Sequence, residues 1–111
     1  MWLMTCRWFL LLLIFSVNQG NALERYEEGR AAYQQACAGC HESGQDGAPV
    51  PERAADWEDR SSLWEAVLFE HAQQGYLKMP ARGGDSSVSD YDAEAAAEYM
   101  LGLVYPDRLR D

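Results

Sequence analysis

Two thiols and an imidazole stand close together near the middle of this 111-residue chain, in the run Cys37-Ala38-Gly39-Cys40-His41. Thiols spaced by two residues can form a redox-active disulfide, supply half of a zinc site, or each add across one vinyl group of a haem. In the third case, the imidazole that follows the second thiol becomes the proximal ligand of the iron.

The surrounding sequence favours the third use. A thioredoxin-like pair requires a strand–helix–strand context, whereas this pair comes at the end of a predicted helix in a chain without strand-like alternation. A zinc site requires two further ligands, and His71 is the one other histidine. We therefore predict one haem c attached covalently through Cys37 and Cys40, with His41 on the iron, and we keep a thiol–disulfide oxidoreductase as an alternative.

Three side chains of the predicted mature chain compete for the sixth position on the iron. Met100 falls on the apolar stripe of the last predicted helix, where methionine is usually core filler, and His71 falls inside the preceding helix. Met79 stands in a loop, before Pro80, with no hydrophobic period to explain it. We predict Met79 as the distal ligand, because a thioether in an irregular loop suits that position. As a consequence, the soft sulfur would stabilise ferrous iron and raise the potential.

Three helices are predicted to position these groups. The first covers Leu23 to Cys37, and the second opens with a capping box at Ser62-Leu63-Trp64-Glu65 and closes at Gly75. The third starts at Ser89-Asp90-Tyr91-Asp92 and ends before Pro106. The stripe of the third helix consists of Ala93, Ala97, Met100 and Val104, and that of the first consists of Tyr26, Gly29, Tyr33 and Ala36.

The packing of these helices is expected to depend on a cofactor. Gly29 on the first helix and Tyr99 on the last are predicted crossing partners, since an absent side chain lets two helix axes approach. Glycine- and proline-rich loops cover His41 to Asp59 and the stretch from Pro80 to Ser87. Such a small core needs additional stabilisation, and a planar apolar haem would supply it.

The amino terminus has the order of a secretory signal peptide. Arg7 precedes the apolar run from Trp8 to Val17, and Gly20-Asn21-Ala22 offers small residues at a cleavage site. About 10 apolar residues fall short of the roughly 20 that a membrane-spanning helix requires, although a retained anchor is the alternative. We predict cleavage of residues 1–22, which removes Cys6 and leaves residues 23–111 as one domain that is exported to a bacterial periplasm.

The charge balance limits the partners. The chain has 18 acidic and 9 basic residues and a formal charge of −9, and cleavage removes Arg7 to make it −10. This charge argues against nucleic acid or an anionic membrane as partner and favours redox proteins with basic docking surfaces.

The mature chain resembles a known family over essentially its whole length, in the family's order. The matching segments are Cys37-Ala38-Gly39-Cys40-His41, Gly44 to Pro49, Trp57 with Arg60, His71-Ala72 with Gly75, Met79 to Gly84, Ser89-Asp90, and Glu98-Tyr99-Met100. They resemble the class I c-type cytochromes, and within these the cytochrome c5-like group. The resemblance implies an all-α fold of three main helices and long loops wrapped around one covalently bound haem.

The resemblance also implies roles for further residues. The family uses a proline at the position of Pro49 to accept the proximal imidazole N–H. Trp57 and Arg60 carry N–H groups suited to a haem propionate. Many members of the group have a second cysteine pair, which this chain lacks, so we predict no structural disulfide. The expected function is one-electron transfer without a small-molecule substrate; the alternative is a haem enzyme or gas-binding sensor with a labile or open distal site.

Overall fold

A computed structural model describes residues 21–60 and 65–107. Helix α1 occupies residues 21–32 and continues without a break into a π-helical turn, Tyr33–Cys37, and a last α-helical turn, α2, Ala38–His41. The run therefore extends one turn beyond the predicted end at Cys37. It stops at Gly44, whose φ of 78° is left-handed and whose N–H donates to the Cys40 carbonyl, as expected at a helix C-terminus.

Helix α3, Glu65–Gln74, ends where the sequence predicts. Gly75 has a φ of 85°, and its N–H donates to the carbonyl oxygen of His71 at 2.8 Å. Three residues of the predicted capping box lie outside the described residues. The predicted signal peptide lies almost entirely outside them, since Asn21 and Ala22 alone belong to the described chain.

Helix α4, Asp90–Val104, confirms the third predicted helix. Ser89 is its N-cap, and its Oγ accepts a hydrogen bond from the Asp92 N–H at 3.0 Å, which satisfies one of the free donors of the first turn. The buried face is rich in alanine and consists of Ala93, Ala95, Ala96, Ala97, Met100, Leu101 and Gly102.

The predicted crossing of the first and last helices is confirmed. A Cβ placed on Gly29 would collide with the backbone oxygen of Ala95 and would lie 3.3 Å from the Cβ of Tyr99. The Tyr99 ring packs against the rings of Tyr26 and Tyr33, with centroids 5.3 Å apart in each pair. Glycine is therefore required at this crossing for steric reasons.

The loops between the helices contain short 3-10 turns at Gln45–Gly47, Ala54–Trp57 and Ala81–Gly84. Within the described part of the chain, β pairing is limited to one isolated bridge between Tyr76 and Met79. The all-α prediction is thus confirmed for these residues. In the same ranges, no helix combines the length and hydrophobicity needed to cross a membrane.

Candidate functional site

The two thiols lie on consecutive turns of the first helical run. Cys37 closes the π-helical turn and Cys40 lies in α2; both are free and half-buried. Residues three apart on a helix project from the same face, so both sulfurs are presented to one side. Burial, together with the neighbouring Cys40, raises the pKa of the Cys37 thiol to about 11. Single π turns are uncommon in helices and often occur at functional sites.

The His41 imidazole is buried, with 7% of the residue exposed. Its Nδ1 lies 2.9 Å from the carbonyl oxygen of Pro49. A carbonyl oxygen only accepts hydrogen bonds, so Nδ1 is the donor of this pair and Nε2 is the ring nitrogen left available to a metal. The chain thus holds His41 in the tautomer that a metal ligand requires, and the structure brings together the two residues that the resemblance pairs.

The loop that carries Pro49 is itself fixed by two hydrogen bonds around Val50. The Val50 N–H donates to Asp56 Oδ2 at 3.0 Å, and the buried Trp57 indole donates through Nε1 to the Val50 carbonyl at 2.9 Å. Sequence reasoning missed Val50 and Asp56, because an ordinary valine and a surface-type aspartate show no distinguishing pattern. Trp57 therefore positions the acceptor of the His41 proton from one residue away.

The propionate roles expected of Trp57 and Arg60 have no direct counterpart in this structure. The Trp57 N–H has a protein acceptor, Val50, and Arg60 is exposed and donates through one guanidinium N–H to the Asp56 carbonyl at 2.6 Å. Both roles stay predictions, and the structure assigns Trp57 the loop contact.

Met79 ends a tight turn that follows helix α3. The Tyr76 N–H donates to the Met79 carbonyl, and the Met79 N–H donates to the Tyr76 carbonyl, both at 2.9 Å. Leu77, at the tip, has a φ of 52° and is 88% exposed. Met79 itself is half-buried.

One small apolar cavity brings the two ends of the site together. Cys37 lines it from the π-helical turn and Met79 from the turn after α3. Most of the remaining lining is small and apolar: Ala32, Ala72, Gly83, Val88, Ala93 and Ala96, with Arg82. The 3-10 turn Ala81–Gly84 packs closely on the π turn, since a Cβ on Gly83 would overlap the Ala36 backbone.

The two competing ligand candidates lie elsewhere. Met100 is buried and packs in the core cluster with Tyr33 and Leu101. His71 stacks on Tyr76, with ring centroids 3.9 Å apart and an angle of 7° between the planes. Across the described ranges, no group of three or more His, Cys, Asp or Glu side chains is arranged to hold a metal ion.

These residues fit a covalently attached haem. Two thiols project from one helix face, the next residue offers an imidazole Nε2 lone pair, and a thioether lines the same alanine-rich cavity as the first thiol. The side chains around this cavity are mostly small and apolar, as the neighbours of a flat apolar group would be.

Comparisons with known proteins agree with this fit. Residues 24–100 match the family model described as cytochrome c oxidase, cbb3-type, subunit III. Cytochrome c-555 of Chlorobaculum tepidum is 35% identical over 78 residues, which cover 67% of this chain and 72% of the relative. The chain belongs to the c-type cytochromes.

Two further relatives support the assignment. Cytochrome c-555 of Chlorobaculum thiosulfatiphilum is 33% identical over 78 residues, covering 67% of this cytochrome and 91% of the relative. Cytochrome c-555 of Prosthecochloris aestuarii is 32% identical over 92 residues, which cover 74% of this chain and 93% of the relative. The predicted c-type class, the covalent haem c and the electron-transfer function are thereby confirmed. The narrower cytochrome c5-like grouping stays a prediction.

The bound haem supplies a one-electron iron couple, and the chain supplies its surroundings. The Pro49 carbonyl would hold the His41 N–H in place, and Met79 and the small apolar residues around it would lie beside the haem. Hydrogen bonds to the ligands and an apolar shell around a haem both influence its potential.

Proposed function

We propose that this cytochrome is an exported carrier of single electrons, with the haem iron held between His41 and Met79. The observation that carries the proposal is the shared cavity: Met79 lines the same space as Cys37, while His41 Nδ1 is bonded to Pro49. Met100 lies in the packed core and His71 is stacked on Tyr76. Met79 is therefore the best placed of the three candidate distal ligands.

Two protein ligands on the iron favour a carrier over an enzyme. A six-coordinate iron has no free position for oxygen or another substrate, so electrons enter and leave without bond making at the metal. The alternative is a haem enzyme or gas sensor, in which the sulfur of Met79 would be labile or absent from the iron.

Carbon monoxide separates the two functions. Under one atmosphere of carbon monoxide, the reduced holoprotein at neutral pH is expected to form only a small fraction of adduct, measured from its Soret band, because Met79 must leave the iron first. Rapid, saturating formation of a carbon monoxide adduct would contradict the carrier proposal. Acid–organic extraction of the same preparation should leave the haem on the polypeptide, because thioether bonds survive acid.

The partner is proposed to be a redox protein with a basic docking surface. The predicted mature chain has a formal charge of −10, whereas the basic residues beside Met79 are Lys78 and Arg82. Arg82 forms an ion pair with Asp90 at 2.6 Å, which partly neutralises this rim. The overall acidic field therefore dominates steering beyond the Debye length of about 8 Å at physiological salt.

A salt series tests the choice of partner. Electron transfer to a basic cytochrome should be faster than to an acidic one at low ionic strength, and the difference should shrink as salt is added. The Lys78→Gln variant should change the rate with the basic cytochrome little. A rate with the basic partner that is flat or rising with salt, in stopped-flow measurements, would contradict docking through the acidic surface.

The amino-terminal segment supports the proposed export. We propose that residues 1–22 are removed as a signal peptide and that haem attachment takes place outside the cytoplasm, in a bacterial periplasm. Amino-terminal sequencing of the haem-bearing protein from a periplasmic fraction should begin at Leu23. A haem-bearing protein that starts at Met1 and sediments with membranes would support a retained anchor instead.

A further inference from the structure

The base of the turn that carries Met79 is joined to helix α3 by an aromatic stack. His71 lies in the last full turn of α3, and its imidazole is nearly parallel to the Tyr76 ring, with centroids 3.9 Å apart. Flat rings at this distance are in van der Waals contact and resist sliding apart. The main chain reinforces the junction, because the His71 carbonyl accepts the Gly75 N–H at 2.8 Å.

Tyr76 transmits this anchoring directly to Met79. The two residues exchange both of their backbone hydrogen bonds, each 2.9 Å long, so the position of one main chain determines that of the other. His71 is eight residues from Met79 in sequence, yet the stack and the paired backbone connect the two residues through Tyr76.

The turn needs such an anchor because its backbone is strained. Leu77 occupies the left-handed region with a φ of 52°, which is disfavoured for a residue with a Cβ. Its side chain is 88% exposed, so burial of the tip does not compensate the strain. A strained and exposed turn opens readily unless contacts at its base hold it closed.

We propose that His71 and Tyr76 are positioning residues that hold the thioether of Met79 towards the haem and thereby set the fraction of molecules with a filled sixth position. This inference rests on the proposed ligation by Met79. Neither ring touches the iron in this account; both act through the backbone of the turn.

A purely structural role for the stack predicts something different. Tyr76 is 52% exposed, so the pair contributes little to the buried core, and its removal should affect unfolding of the whole protein only slightly. A positioning role predicts a local effect, since the open state of the turn gains population while the helices stay folded.

The test uses the holoprotein with His71→Ala, and His71→Phe as the conservative variant that keeps a flat ring. Carbon monoxide affinity of the reduced protein rises in proportion to the fraction with an open sixth position. We expect His71→Ala to raise this affinity about three- to tenfold, the range that loss of an aromatic pair gives. Amide exchange at Met79 should accelerate by the same factor, and His71→Phe should restore both values.

Tyr91→Ala is the matched control, because Tyr91 is 51% exposed and its ring packs against the Arg25 guanidinium of α1. It should leave carbon monoxide affinity and Met79 amide exchange unchanged.

Unchanged values in His71→Ala, in a protein whose Met79→Ala variant binds carbon monoxide readily, would overturn the positioning role and leave the proposed ligation intact. Unchanged carbon monoxide binding in Met79→Ala would instead overturn the ligation. Equal loss of global stability in His71→Ala and Tyr91→Ala, with no change at Met79, would also overturn the inference.

Discussion

His41 lies on a helix and Met79 lies on a turn, and different contacts hold the two side chains. His41 is buried and follows Cys40 in a continuous helical run, with its Nδ1 bonded to Pro49. Met79 is half-buried and closes a turn whose tip, Leu77, is strained and exposed.

This difference indicates that the proximal side is rigid and the distal side is adjustable. On the proximal side, covalent attachment next to the ligand and a hydrogen bond to the loop both oppose movement. On the distal side, the proposed ligand Met79 is held by two backbone hydrogen bonds and the contacts at the base of the turn. Local opening draws on the regions with few buried contacts, so the properties of the iron should vary mainly with the turn.

The largest effect is expected from His41→Ala. Loss of the proximal ligand removes an iron–protein bond from the rigid side, and we expect the free energy of unfolding of the holoprotein to fall by more than about 3 kcal/mol. Met79→Ala removes a bond from the adjustable side and should have a smaller effect. Guanidinium denaturation followed by circular dichroism measures both; equal losses would show that the two sides do not differ.

The next largest effect is expected from Gly75→Ala, at the start of the turn that carries Met79. Gly75 has a φ of 85°, and an added Cβ would lie 2.9 Å from the Met79 carbonyl oxygen and from the Ala81 nitrogen. We expect a loss of about 1–3 kcal/mol in unfolding free energy and raised carbon monoxide affinity. Gly39→Ala is the control, because an added Cβ there meets no atom within 4 Å; it should be neutral or slightly stabilising.

On the proximal side, the raised pKa of Tyr33 predicts a loss of stability at alkaline pH. Burial is the main cause that raises its pKa from 10.0 to about 12, with the carboxylates of Glu42 and Glu52 adding to it. The folded state therefore holds the phenol proton more tightly, and this contribution is complete below pH 10 and is lost between about pH 10 and 12. We expect the free energy of unfolding, measured by denaturation, to fall on the order of 1–2 kcal/mol across that window. This fall should be smaller in Tyr33→Phe. The same fall in Tyr33→Phe would assign it to other groups.

The smallest effect is expected from Leu77→Asn at the tip of the turn. Asparagine tolerates the left-handed region better than leucine, and the exposed leucine buries almost no surface. Stability should rise by less than about 1 kcal/mol, and carbon monoxide affinity should fall slightly. A decrease in stability, measured by thermal unfolding, would mean that Leu77 makes a stabilising contact with a group outside this chain.

The elements of the fold were predictable from local signals. Ser89 before an alanine-rich stripe predicts the start of α4, and Gly75 predicts the end of α3; both are confirmed. The crossing at Gly29 followed from the spacing of small and aromatic residues. The end of the first run was placed one turn too early, at Cys37, whereas the helical run continues to His41.

The contacts that support the site were less predictable. Val50 and Asp56 act through their positions in a folded loop, and the stack of His71 on Tyr76 joins a helix to a turn across Gly75. These contacts depend on the path of the backbone between elements, which hydrophobic periodicity does not encode. The segment Cys37 to His41 predicts haem attachment from its sequence alone. The contacts that hold the site in place are recognised only in the folded structure.

The ligand on the adjustable side is tested most directly by the near-infrared sulfur-to-iron charge-transfer band of the ferric protein. This account predicts that Met79→Ala abolishes the band and lowers the potential, on the order of 100 mV within the ~0.8 V range that axial ligands cover. Met100→Leu, a volume-matched change in the core, should leave both unchanged apart from a stability loss below about 1.5 kcal/mol. A band that persists in Met79→Ala, or that disappears in Met100→Leu, would contradict ligation by Met79.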